Sequence, residues 1–267
     1  MASNPYTTNL EVQLDARDIT GKSDGDSITT WTDSSAAGND ATQATSSRRP
    51  IYKTNIIGSN PVVRFDTGKT KSLYGSYASS WSGYTGITWF IVCQYYTYPG
   101  HNYPCPFSTA ATTNGQSTNG IFIYGGETTY SPAGRLGYTS YVNPTYDKSS
   151  FSLVQGSPTI YGLTAKAGTA GIKSITPFGV SAERSVLQLT STPQEYVVGN
   201  AYLSSAVSTL YGFIGDIALM LVYKEYMSDT NSESVMDWIL DEFDLHTQAA
   251  GGGGLLRSPG MSGGMNA

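Results

Sequence analysis

Ile214-Gly-Asp-Ile-Ala-Leu-Met-Leu-Val-Tyr223 decides the fold: it is strand-length and apolar, and it passes through Met227-Ser-Asp229 into a single acidic amphipathic segment. An apolar run of this length, with β-branched and aromatic residues, has strand character. Just beyond it, the Ser228 hydroxyl can accept from an orphan N–H of a first helical turn, and Val235, Met236, Ile239, Leu240 and Phe243 form one apolar stripe. The spacing predicts one helix from near Ser228 to about His246, packed on the outside of a β-framework.

Upstream, almost everything has strand character. Leu10-Glu-Val-Gln-Leu-Asp15 and Pro61-Val-Val-Arg-Phe65 alternate apolar and polar positions, and residues 86–95 are long and apolar enough to sit centrally in a sheet. Shorter strands are expected at 27–31, 120–124, 135–141, 151–154, 159–163, 172–176, 186–189 and 195–198, separated by turn residues at sandwich spacing. Residues 97–119 break the pattern with Pro99, Gly100, Pro104, Pro106, Asn114 and Gly115, a long excursion that carries Tyr98, His101, Asn102 and Tyr103 outward. The expected organisation is an all-β antiparallel sandwich over 10–246, an arm over 1–9 and a flexible Gly-rich tail over 247–267. Sandwiches of this length form single domains.

Charged residues make up 13% of the 267 residues, about half the usual share, whereas Ser and Thr number 64, so the surface is hydroxyl-rich. Twenty tyrosines fit the same picture, because the ring packs on a pleated surface while the hydroxyl reaches water or a polar ligand. A net charge of -5 argues against nucleic acid, and no apolar run approaches bilayer length, which argues against a membrane. The N-terminus lacks a basic segment followed by an apolar one, so export by a signal peptide is not expected. Asn143-Pro-Thr145 carries the proline that excludes glycosylation. Cys93, inside an apolar run, and Cys105 are expected to be free thiols.

Asp229, Glu233, Asp237 and Asp241 stand four residues apart along the helix with no Lys or Arg among them. Each like-charge neighbour at that spacing costs roughly 0.2–0.5 kcal/mol. The stripe is either a solvated face or a docking surface for a basic partner. Residues 249–267 contain seven glycines and cannot fold alone, yet they carry Leu255, Leu256, Arg257, Met261 and Met265. Apolar anchors on a tether predict docking to a neighbouring subunit.

The opening pattern of Leu14-Asp-Ala, Trp31-Thr-Asp33, Asn39-Asp-Ala-Thr-Gln43, Pro50 and Val62-Val-Arg-Phe-Asp66 resembles the start of laminin-G-like, concanavalin-A-like jelly-roll domains. Val198-Gly199-Asn200, Phe213-Ile-Gly-Asp-Ile217, Val222-Tyr223 and Met227-Ser-Asp229 are similar to that family's closing strands and terminal helix. The departure is Leu219, where such domains commonly place an acid. The resemblance implies a concanavalin-A-like jelly roll of the kind found in carbohydrate-binding proteins and on bacteriophage particles. It leads to the expectation of a non-enzymatic virion surface protein, a capsid decoration or tail-associated subunit. Such a protein would be made in the host cytoplasm, form a homo-oligomer on the particle, contact other virion proteins and adhere to cell-surface glycans. The alternatives are a stand-alone carbohydrate-binding module and a polysaccharide-cleaving enzyme.

For catalysis, the Glu-X-Asp-X-X-Glu line of glycosidases with this architecture is absent, the nearest match being Glu242-Phe-Asp244. Gly21-Lys-Ser-Asp-Gly25 spells a nucleophile elbow around Ser23, but a strand follows where the motif needs a helix. No cofactor is expected. Calcium enters only through Asp24 and Asp26, which are close enough to share an ion but equally suited to an Asp turn. The glycan candidates are Tyr84, Tyr98, His101, Asn102 and Tyr103, whose rings can cover pyranose C–H groups while the amide and imidazole give directional bonds.

Overall fold

The computed structural model describes residues 3–66, 70–77, 81, 83–96, 105–110, 135–140, 143–152, 156–169, 171–177, 179–180, 182–183, 195–200 and 212–246. Among them lie fifteen strands, numbered along the chain, and one α-helix, α1 (Asp229–Glu242). The larger sheet comprises β1 (Leu10–Asp15), β4 (Ile51–Ile57), β5 (Asn60–Phe65), β7 (Gly86–Tyr95), β11 (Pro158–Lys166), β12 (Ile172–Thr176), β13 (Gly179–Val180) and β15 (Gly215–Tyr223). The smaller sheet runs β2 (Thr30–Trp31), β3 (Ala41–Thr42), β6 (Leu73–Ser76), β14 (Glu195–Val198) and β8 (Phe107–Ala110). A hairpin of β9 (Arg135–Ser140) and β10 (Asn143–Ser152) forms a third, two-stranded sheet. All strand pairings are antiparallel. The chain is thus the jelly-roll sandwich expected from its sequence.

β15 is the spine. It pairs with β7 along its length, while its other edge is shared, β5 opposite residues 215–217 and β1 opposite residues 219–223. Every one of its residues is buried, as its unbroken apolar sequence requires. Val63, Ile91, Met220 and Val222 face the smaller sheet and meet Trp31, Leu73, Phe107 and Tyr196. Val62, Phe90, Val92, Leu219 and Leu221 face the other way, under Val235, Met236, Ile239 and Phe243 of the helix segment. The molecule therefore has three layers: small sheet, large sheet, helix.

The helix is fixed at both ends. The Ser228 Oγ accepts from the Asn231 N–H at 3.2 Å, the cap expected from the sequence. Just before it, the buried hydroxyls of Thr88 and Thr164, 2.7 Å apart, both accept from the Met227 N–H at 3.1 Å. At the far end α1 stops at Glu242, earlier than expected, with Phe243 as C-cap. There Asp244 adopts a left-handed φ of 52° and the Leu245 N–H returns to the Leu240 carbonyl. Gly58 touches this end so closely that a Cβ would lie 2.1 Å from the Phe243 carbonyl oxygen. Arg17 completes the anchor, gripping Asp15 at 2.6 Å and Glu242 at 2.5 Å beneath the Phe243 ring.

Residues 3–9 lie on the sandwich. Asn4 donates to the Tyr223 hydroxyl, which donates to the Tyr6 carbonyl. Besides the two-residue strands β3 and β13, three strands appear that alternation does not signal. β4 has an edge position and a mixed pattern, β6 is short and contains Gly75, and β8 follows two prolines. Gly75 is required there, because a Cβ would sit 2.1 Å from the Tyr196 ring.

Candidate functional site

Open edges of a sheet invite pairing with other chains, and two Asp-rich turns cover the free edges of β1 and β4. The Asp33 carboxylate accepts from the N–H groups of Gln13, Ser35 and Asn39 at 2.7–2.9 Å, while the Asn39 amide donates to the Glu11 carbonyl at 2.8 Å, so the 33–39 loop closes the free edge of β1. The Tyr196 hydroxyl from the other sheet donates to the Asn39 carbonyl. The sequence pattern Trp31-Thr-Asp33 to Asn39 is therefore a structural latch. Asp24 and Asp26 play the matching part on β4. Asp24 accepts from the Thr54 N–H at 3.0 Å and pairs with Lys53, which holds its carboxyl below the usual carboxylate range, and Asp26 accepts from the Ser23 N–H at 2.7 Å. Both carboxylates are thus engaged by protein donors, in the Asp-turn arrangement. Ser23 lies in that turn, with an edge strand and no helix after it.

Tyr84 is half-buried and belongs to an aromatic ladder that runs into the core. Its ring meets Trp81 at 5.6 Å, Trp81 meets Tyr77 at 4.8 Å, Tyr77 meets Tyr196 at 5.3 Å, and Phe107 continues the line to Trp89. Each such pair contributes about 0.5–1.5 kcal/mol beyond burial. Tyr84 thus packs onto the core through Trp81. Tyr98, His101, Asn102 and Tyr103 lie outside the described residues, as do Leu255, Leu256, Arg257, Met261 and Met265. Asp229 pairs with Lys173 of β12 and Asp241 with His246, both at 2.6 Å, so partners outside the helix relieve part of the like-charge stripe. Glu233 is partly buried and Asp237 exposed. Cys93 and Cys105 are buried free thiols, and burial pushes the Cys93 thiol up. Leu219 is core beneath the helix.

Two surfaces that no linear motif announces carry concentrated polar chemistry. The first is the outer face of the smaller sheet. Register aligns Thr30, Thr42, Tyr74, Val197 and Ser108 in one row across all five strands, with Ser76 and Glu195 in the next row. Thr30, Thr42 and Ser76 are exposed and Tyr74 and Glu195 half-buried, whereas Val197 and Ser108 are buried. The row is a shelf, exposed at its Thr30 end and buried at its Ser108 end, with one tyrosine ring at its middle. Ser72, fully buried, donates to the Tyr74 hydroxyl at 3.1 Å and fixes it. Among the described residues nothing takes the hydroxyl's own proton, and part of the ring is exposed.

The second surface lies on the outer face of the larger sheet, past the helix. Arg64, Asp216, Gln94 and Pro158 stand in register on β5, β15, β7 and β11. Asp216 is fully buried and takes the Arg64 Nε at 2.8 Å and Nη2 at 2.9 Å. Tyr96 donates its hydroxyl to the same carboxylate, accepts from Arg64 at 2.6 Å and lies with its ring 5.0 Å from the guanidinium carbon. The Asp216 bond holds the guanidinium above its ordinary pKa; burial, then the bond to Asp216, raises the Tyr96 phenol.

No known family model matches the chain, and no curated protein matches it in sequence. Solved structures do share its fold. An arabinofuranosidase complexed with arabinofuranosyl-α-1,2-xylobiose superposes with a TM-score of 0.56 at 15% identity, over 81% of this chain and 51% of that one. The Trypanosoma rangeli sialidase in complex with sialic acid gives 0.54 at 11% identity, over 88% of this chain and 33% of that one. The binding domain of Botulinum neurotoxin serotype D gives 0.54 at 8%, over 87% and 51%. This chain therefore spans about half of the arabinofuranosidase and neurotoxin chains and a third of the sialidase.

At such identities the likeness establishes a shared β-sandwich fold. It also corrects one expectation. A non-enzymatic chain was inferred from a framework without a linear acid motif, but arabinofuranosidase and sialidase chains contain this same fold. Fold does not fix chemistry, and a glycosidase needs two carboxyl groups at a set separation in space, which separate strands can supply.

Proposed function

We propose that this chain recognises carbohydrate, with the shelf around Tyr74 as its receptor surface. The observation that carries the reading is the register row Thr30–Thr42–Tyr74, which sets an immobilised phenol beside two exposed threonine hydroxyls, with buried Val197 on its other side. A sugar offers the complementary set: C–H faces for the ring, and hydroxyls that donate to and accept from Thr, Ser and Tyr. The sugar complexes of the arabinofuranosidase and sialidase with this fold support the assignment. Tyr98, His101, Asn102 and Tyr103 belong to the same proposal as contacts from the excursion.

An array of neutral and acidic oligosaccharides tests it. Saturable binding that is lost in Tyr74→Ala is expected, and an array silent for the wild type rejects the reading. Release of reducing ends from a bound glycan would assign hydrolysis as well.

A finer reading is attachment to a particle. The composition of residues 249–267, together with Asp237 and Asp241 exposed on the helix, supports docking of the tail and helix to other virion proteins, with homo-oligomers of the chain on the particle surface. Deleting residues 249–267 should abolish incorporation into particles. Unchanged occupancy rejects it.

A further inference from the structure

We infer that the polar strip of the larger sheet, built on Arg64 and Gln94, is a second contact site for sugar hydroxyls, separate from the Tyr74 shelf. The inference rests on the carbohydrate reading. Two residues further along the same four strands stand Val62, Ala218, Val92 and Ile160, all in the apolar layer under the helix. The strands change character abruptly. A wholly buried carboxylate in a sheet is expensive, and an apolar replacement is commonly neutral or better for stability, so Asp216 is not explained by stability alone. What it does locally is hold a cation still. Asp216 and Tyr96 together take the Nε and Nη2 of Arg64, and the Tyr96 ring lies against the guanidinium.

The groups left over define the ligand. Arg64 is 25% exposed, and its Nη1 has no partner among the described residues. Gln94 commits its amide nitrogen to the Gly156 carbonyl at 2.6 Å, which orients its carbonyl oxygen as an acceptor with no partner among the described residues. A fixed two-hydrogen donor and a fixed acceptor stand two strands apart, roughly 10 Å between backbones before the long side chains reach inward. Because Asp216 balances the charge of Arg64, the pair has no net attraction for an anion. The match is a neutral ligand with several hydroxyls, one accepting from Nη1 and another donating to the Gln94 Oε1. Two such surfaces on opposite outer faces make the chain bivalent for glycan.

Titration calorimetry with the strongest neutral oligosaccharide from the array tests this, using the full chain. The wild type should take up two equivalents and Tyr74→Ala one. Gln94→Ala and Arg64→Lys should each weaken one equivalent by about tenfold or more, the worth of a hydrogen bond to a charged or fixed group, and leave the other intact. The surviving Tyr74 site then serves as the folding control. A single wild-type equivalent, lost in Tyr74→Ala and unmoved in Gln94→Ala, rejects the second site while the carbohydrate reading stands. Loss of both equivalents in Gln94→Ala with an unchanged circular dichroism spectrum rejects its independence. No uptake of any sugar rejects both.

Discussion

On the outer face of the larger sheet, Val62, Ala218, Val92 and Ile160 disappear under the helix, and the row beside them, Arg64–Asp216–Gln94–Pro158, does not join that layer. The same four strands carry both. The side chains differ, apolar ones lying under α1 whereas the Arg64–Asp216 pair and the Gln94 amide make a polar surface, and a register shift in β15 between Ile217 and Leu219 separates the two. An apolar row records what the protein must cover to fold, and a costly polar row beside it records what folding did not require.

The largest way to break this comparison is to leave the ion pair half-made. Arg64→Leu strands a wholly buried carboxylate and should cost about 3–5 kcal/mol in urea or thermal unfolding. Replacing both partners, Arg64→Leu with Asp216→Leu, should recover most of that loss, because two apolar groups need no compensation. A double variant as unstable as the single would mean that the pair is needed for stability itself.

Alkali probes both rows at once. Tyr223 lies in the helix-covered layer and Tyr96 beside the ion pair, and burial raises both phenols well above the ordinary 10.0. Below pH 10 folded and unfolded chains alike keep these protons. Above it the unfolded chain releases them and the folded chain does not, so the contribution of these tyrosines is complete below that pH and lost as it climbs through the raised folded-state values. The part of the phenolate absorbance that Tyr223→Phe and Tyr96→Phe remove should therefore rise together with unfolding, and its appearance in a still folded chain would contradict the burial.

How much of this was legible follows from where each signal resides. β15, β7 and α1 are written locally, as unbroken apolar runs or a 3.6-residue stripe, and Ser228 as a cap is a single-residue signal. Trp238, also buried against the sheet, extends that stripe and was not anticipated. β4 lacks alternation because, at the edge of the sheet, most of its side chains are only partly buried on either face. The two polar surfaces were invisible for a different reason: Thr30, Thr42 and Tyr74 become neighbours only through register, as do Arg64, Gln94 and Asp216. Register between distant strands has no local signature.

A smaller perturbation sharpens the helix side. Ser228→Ala leaves the Asn231 N–H without its acceptor and should cost about 1 kcal/mol. Asp or Asn at the same position should restore it, since both cap equally well.

The smallest expected effect on stability carries the most functional weight. Tyr74 faces outward between Thr42 and Val197, and its removal deletes cross-strand contacts worth roughly 0.2–1 kcal/mol. Tyr74→Phe should cost less still, losing only the bond from Ser72, which is left buried with the Gln43 amide as its remaining partner. On the shelf the two variants should separate: alanine abolishes glycan binding by removing ring and hydroxyl together, whereas phenylalanine keeps the stacking face and loses only the hydroxyl contact. If both variants bind as the wild type does, the shelf is an ordinary solvated sheet face like any other, and receptor chemistry must be sought on the Arg64 strip instead.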